Sequence, residues 1–162
     1  MESSPEAAAR ERALVREAPI RARGVSARGQ LDGRDVVFLC GTLGSEFDTW
    51  QRRLAATSAA DALFSQRIGL RAVEKVMDEL EAAARVEVER EGKRLRPRWS
   101  PGYGGRPLSM SREILARLDA TKTLGVGITE SDLLVPSKSV TAVCEIVDGT
   151  AGQTQRHGDT EA

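Results

Sequence analysis

Val36-Val37-Phe38-Leu39-Cys40 is an unbroken apolar run with β-branched and aromatic members, the pattern of a strand covered on both faces. It stops at Gly41. Ser45-Glu46-Phe47-Asp48 and Ser58-Ala59-Ala60-Asp61 each read as an N-cap with an acid three residues on, and they predict helices near 46–56 and 59–90. In the longer one Leu70, Val73, Met77, Leu80 and Ala84 recur at helical spacing as a single core-facing stripe. Gly69 interrupts it, marking either a helix junction or a place of close packing against the sheet. Over Leu95–Trp99 the alternation puts Leu95, Pro97 and Trp99 on one face and Arg94, Arg96 and Arg98 on the other. Pro97 implies an edge position or irregular pairing. Ser109 or Ser111 is placed to cap a third helix carrying Ile114, Leu115 and Leu118. A strand is expected over 126–129, and a last one has Val140, Ala142, Cys144 and Ile146 on its apolar face, these final two pairing antiparallel. The order of elements predicts an α+β fold, a single compact domain in which an antiparallel or mixed twisted sheet packs with a long helix and shorter helices.

The two ends read differently. Residues 1–30 are expected to be a tail, partly disordered or helical through Ala7-Ala8-Ala9 and Leu14-Val15. Residues 31–148 form the domain, and residues 149–162 carry no core-forming side chain and read as a disordered tail. The sequence has 162 residues, of which 40% are hydrophobic. No stretch reaches the roughly 18 apolar residues of a membrane span, and Met1–Arg12 has no apolar core of a secretory leader. Cys40 and Cys144 sit in apolar segments without metal-like spacing, which favours buried thiols and a cytoplasmic setting. With 24 basic and 24 acidic residues, nothing in the overall charge favours nucleic acid or an anionic membrane as partner. The lone histidine, His157, lies in the C-terminal tail, so histidine-based proton transfer and a metal centre are not expected.

The chemistry concentrates after Arg98. Arg98-Trp99-Ser100-Pro101-Gly102-Tyr103 offers a planar fork of donors for a carboxylate, a Pro-Gly turn whose backbone can approach a ligand closely, and a flat ring with one polar tip. Such a loop suits a small zwitterion bearing an aromatic base. Trp99 itself reads as a core anchor. Glu74, Asp78 and Glu81 share one helix face, which by default is a solvated surface. Gly41-Thr42-Leu43-Gly44 lacks the lysine and hydroxyl ending of a phosphate loop and reads as a strand-to-helix turn.

Arg98-x-x-x-Gly102-Tyr103, followed by Thr129-Glu130-Ser131 and by Val135-Pro136-Ser137-Lys138-Ser139-Val140, resembles the reactivation domain of cobalamin-dependent methionine synthase. The likeness is closest over 95–147. It implies that Arg98 meets the methionine carboxylate of S-adenosylmethionine, with Ser100, Gly102 and Tyr103 completing the loop contact and Glu74 contributing from the long helix. The Thr129 segment and the turn after Pro136 would match a strand pair flanking that site. The family's usual Pro-Ala-Cys-Pro continuation is replaced by Gly104-Gly105-Arg106-Pro107, and Gly92 stands where the family carries an acid six residues before the arginine. In these respects the chain resembles short stand-alone activation-domain-like proteins that keep Ser-Pro-Gly-Tyr-Gly. The resemblance implies an accessory subunit for reductive remethylation of cobalamin in a methionine synthase lacking its own activation domain. S-adenosylmethionine is then the methyl source, the cobalamin is carried by the partner corrinoid protein, and a flavodoxin-like protein is the electron donor. No side chain need act as a general acid or base. The alternative is a non-enzymatic module that caps a corrinoid protein and has lost S-adenosylmethionine binding.

Overall fold

The computed structural model describes residues 4–149. Its centre is β2 (Arg34–Thr42), and the reason is visible in the sequence: with apolar side chains at consecutive positions, both faces of the strand need cover. Val36, Phe38 and Cys40 point toward α4 (Met110–Leu118) and α5 (Ala120–Leu124). Val37 and Leu39 pack under α3 (Ala59–Arg90) together with Met77, Ala84 and Val88. A third cluster, built on Leu14, Leu43, Phe47 and Ile68, joins α1 (Pro5–Glu17), α2 (Ser45–Thr57) and α3.

The sheet is antiparallel throughout, in the order β1-β2-β6-β3, with β1 at Arg23–Leu31, β3 at Lys93–Leu95 and β6 at Ser139–Asp148. The fold is thus α+β, a four-stranded twisted sheet with one long helix and several short ones. β4 (Gly127–Ile128) and β5 (Leu134–Val135) form a separate two-stranded hairpin. The expected pairing of the 126–129 strand with the last strand is therefore corrected. One edge of β6 is taken by β2 and the other, from Val143 onward, by Trp99 and β3, while β4 pairs with β5 instead.

Of residues 1–30, expected to be a tail that is partly disordered or helical, Pro5–Glu17 form α1 and the stretch from Arg23 onward belongs to β1. Leu14 is fully buried against α2 and α3, and Arg10 pairs with Asp61 at 2.7 Å. β1 joins β2 through the two-residue Asp32-Gly33 turn and pairs along its whole length. Its inward face carries only Val25, Ala27, Gly29 and Leu31, too little apolar volume to stand out as a strand. The C-terminal tail from residue 150, with His157, lies outside the described residues.

Capping was anticipated in part. The Ser58 hydroxyl accepts the Asp61 amide at 3.1 Å and starts α3. Ser45 does not cap α2, which begins after Gly44; Asp48 instead accepts from the Ser137 amide and hydroxyl at 2.9 and 2.6 Å. Neither Ser109 nor Ser111 caps α4 through its side chain. Ser111 is buried and shares a hydrogen bond with Thr141 at 3.0 Å.

Helix α3 runs through Gly69 without interruption, so the glycine serves close packing, against α2 rather than the sheet. A Cβ there would lie 2.8 Å from Phe47 Cε1 and 2.9 Å from Lys138 Cε. Lys138 can move, but Phe47 is fully buried. Alanine would gain about 1 kcal/mol of helix propensity against an overpacking cost of roughly 1–3 kcal/mol. Gly69→Ala is therefore expected to lower stability by about 1 kcal/mol in urea unfolding, and a gain would show that the α2–α3 contact yields freely.

Cys40 and Cys144 are buried in β2 and β6, and burial pushes each thiol up to about 12, helped at Cys144 by the Glu81 carboxylate. Neither should react with dithiobis(nitrobenzoate) in the folded protein at about pH 8, because the thiolate is the attacking form. Both should titrate in guanidinium. Rapid labelling of the folded chain would mean that β6 opens readily.

Candidate functional site

The path of the chain between β3 and Trp99 sets the site. Leu95 pairs with Ile146, the Arg96 amide donates to the Glu145 carbonyl, and Trp99 exchanges both backbone bonds with Val143. Four steps from Leu95 to Trp99 thus face three on β6, so Pro97 and Arg98 together oppose Cys144. That is a β-bulge, and Pro97, which has no amide hydrogen to offer the ladder, is a natural member of one. The extra residue reverses side-chain parity. Leu95 stays on the α3 face, Arg98 joins it there, and Trp99 turns to the α4 side. The simple alternation that placed Leu95, Pro97 and Trp99 on one face is corrected accordingly, while Trp99 does pack on the core as an anchor.

Arg98 lands on the acidic face of α3. Its Nη2 donates to Glu74 Oε2 at 2.6 Å and its Nη1 to Asp78 Oδ1 at 2.8 Å. Glu81 Oε1 accepts the Arg98 backbone amide at 2.9 Å and lies 3.7 Å from Nη1. Glu74, Asp78 and Glu81 recur at positions i, i+4 and i+7, and they clamp one arginine where the sequence default was a solvated surface. Burial by itself would lower the Arg98 pKa, but the hydrogen bonds to Asp78 and Glu74 outweigh it and the value is raised.

A cleft of about 810 Å³ opens beside this cluster. One wall is the loop after Trp99, the second is α3 at Leu70, Val73 and Glu74, and the third is the β4–β5 hairpin at Asp132, Leu133 and Leu134. Its floor is the start of β6, tied to β2 by the buried Thr42–Ser139 bond of 2.8 Å and to α4 by the Ser111–Thr141 bond. Leu70, expected in the core stripe, is 56% exposed and sits on this wall. Thr129-Glu130-Ser131 forms the turn of the hairpin, where Thr129 Oγ1 accepts the Leu133 amide at 3.1 Å. Arg112 pins that turn to α4 through the Thr129 carbonyl at 2.7 Å and Asp132 at 2.9 Å. After β5 the chain passes through a cis Val135–Pro136 bond to Ser137 and into β6.

The structure brings four of the five residues singled out in the sequence to this cleft: Glu74, Arg98, Ser100 and Tyr103 line it. Gly102 does not. It has φ of 92°, a region open mainly to glycine, and its amide donates to the Arg106 carbonyl at 2.9 Å, so its place is in shaping the loop. Tyr103 is 75% exposed at the rim. Sequence reasoning passed over Arg106, whose guanidinium stacks 4.2 Å from the centre of the Trp99 ring and lines the cleft. A single arginine in a Gly-Gly-Arg-Pro loop was the available signal. Among the described residues no three of His, Cys, Asp and Glu come together as a metal site, and no helix is long and apolar enough to cross a membrane. What the cleft offers is a fixed cation beside an acid, hydroxyls and backbone at a turn, and flat apolar surface. That set matches a zwitterion attached to an aromatic group.

No family model and no curated protein matches the sequence. The structure is similar to a solved one, the crystal structure of the MetH reactivation domain bound to AdoHcy, with a TM-score of 0.65 at 16% sequence identity. The match covers 86% of this chain and 63% of that one, so the chain spans less than two thirds of its length. At this identity the likeness establishes the fold, and this chain has the fold of that reactivation domain.

Proposed function

We propose that the chain binds S-adenosylmethionine in the cleft between Glu74 and the Arg98–Tyr103 loop and acts as a cytoplasmic accessory subunit in remethylating cobalamin held by a methionine synthase or another corrinoid protein. The observation that carries this reading is the meeting of Arg98, Ser100 and Tyr103 with Glu74, distant in sequence, on one cleft. The fold shared with a reactivation domain that binds AdoHcy supports it. Arg98 would take the ligand's carboxylate with its fork and Glu74 its ammonium, so that the zwitterion replaces the Arg98–Glu74 ion pair with one to each residue. Ser100 and the turn held by Gly102 would supply polar contacts, and Tyr103 would form the face presented to the partner. S-adenosylmethionine supplies the methyl group, which passes to the partner's cobalt after one-electron reduction by a flavodoxin-like donor and leaves S-adenosylhomocysteine. The protein's own task is positional.

A second reading, a capping module without S-adenosylmethionine binding, is favoured by the engagement of Arg98 with Glu74 and Asp78. Ligand titration separates the two. If Arg98 holds the carboxylate, Arg98→Ala should weaken S-adenosylmethionine binding by about 2–4 kcal/mol in equilibrium dialysis. Arg98→Lys should restore only part, because a point charge cannot replace the fork. Equal affinity of the wild type and Arg98→Ala would end the site assignment.

The partner reading has its own test. Alone, the protein should transfer no methyl group to homocysteine. Mixed with a cobalamin-loaded methionine synthase that lacks its activation domain, a reductant and S-adenosylmethionine, it should convert the Co(II) absorbance to that of methylcobalamin, and Arg98→Ala should slow the change. Conversion at the same rate without this protein would overturn the reading. Conversion that needs the protein but ignores Arg98 would favour the capping module.

A further inference from the structure

We infer that Asp78 regulates the cleft by competing with the ligand's carboxylate for Arg98. This rests on the reading of the cleft as an S-adenosylmethionine site. Any two-pronged contact between a carboxylate and a guanidinium uses at least one η nitrogen, and both η nitrogens of Arg98 already donate to acids of α3, at 2.6 Å to Glu74 and 2.8 Å to Asp78.

The three acids differ in what an arriving zwitterion does to them. Glu74 lines the cleft and gains the ligand's ammonium as it gives up its share of Arg98. Glu81 keeps the Arg98 backbone amide at 2.9 Å and its own ion pair with Arg85 at 3.4 Å. Asp78 gains nothing. Among the described residues its one cation within 4.0 Å is Arg98, and it does not line the cleft. A ligand carboxylate on Arg98 therefore either displaces Asp78 or shares the guanidinium with it against like-charge repulsion. Asp78 is 69% exposed and Glu74 55%, whereas Arg98 is only 19% exposed. Solvent thus screens the competition and holds it to about a two- to fivefold effect on affinity.

Calorimetric titration of the full chain with S-adenosylhomocysteine tests this. Asp78→Asn, which keeps the shape and removes the charge, should bind about two- to fivefold tighter than the wild type, with an unchanged melting temperature because the residue is exposed. Glu79→Gln makes the same charge change one residue along α3, on an exposed acid that forms no ion pair among the described residues, and should leave affinity unaltered. Equal tightening by both variants would reduce the effect to bulk charge and overturn the inference. Unchanged or weaker binding by Asp78→Asn, with binding still lost in Arg98→Ala, would also overturn it, by making Asp78 a support for Arg98, and would leave the site standing. If neither wild type nor Asp78→Asn binds, the inference and the reading of the cleft fall together.

Discussion

The cleft depends on β6 having two partners at once. Along one edge the strand is bonded to β2 from Val36 to Thr42, and along the other to β3 and then Trp99. The first edge is anchored by the most heavily buried part of the molecule, where Val36, Val37, Phe38 and Leu39 are each at most 3% exposed. Full burial of such side chains is worth about 1.5–3 kcal/mol apiece. The second edge leads into the loop after Trp99 that walls the cleft. Because Ser139 and Thr141 at the start of β6 are also bonded to Thr42 and Ser111, the floor of the cleft is fixed to both layers of the core. Loop, helix and hairpin walls are all measured from that one strand.

The bulge at Pro97 and Arg98 turns this rigidity into a site. In a regular ladder Arg98 would share the α4 face of the sheet, where it would meet the apolar cluster around Val143. One extra residue sends it to α3 instead and lets Trp99 take the apolar side. Glu81 then completes the device by accepting the Arg98 amide, which the ladder no longer pairs. A fully buried amide left without a partner would cost about 1–3 kcal/mol, and this part-buried one a share of that, so the glutamate and the bulge belong together. Cys144, which lies opposite the bulge, sits 3.9 Å from the same Glu81 oxygen.

Much of this was legible in the chain because the signals were strong and local. The five-residue apolar run at 36–40, the Ser58 cap and the long stripe through Val73, Met77 and Ala84 translate directly into β2 and α3. The arginine loop and Glu74 could be named, though only spatial proximity makes them one cleft. The failures share a cause, which is that tertiary context overrode a local pattern. β1 has too few large side chains to announce itself and exists because β2 needs a second neighbour. The parity of Arg98 and Trp99 depended on one bulge that Pro97 allows but does not dictate. Leu70 obeys the stripe's spacing yet is left exposed on the cleft wall. Asp78 and Glu81 looked solvated because a periodic acid face is read without knowing what faces it.

The burial of the ion cluster is asymmetric, and the asymmetry has a mechanical meaning. Arg98 is held twice over, by its backbone amide on Glu81 and by its position in the bulge, and its side chain is mostly covered. Its partners Glu74 and Asp78 are more than half exposed on a helix surface, where rotamers interconvert freely and ion pairs are worth at most about 1 kcal/mol. The cation is therefore the fixed element and the anions are the exchangeable ones. A site built the other way, with a buried acid and a mobile arginine, would have to desolvate a carboxylate and then order a long side chain at each binding event, adding an entropy cost of up to about 2 kcal/mol. Placing the arginine on the sheet and the acids on the helix incurs the ordering cost once, during folding. On the proposed reading of the cleft, anion exchange at Arg98 would then need only small side-chain movements on α3.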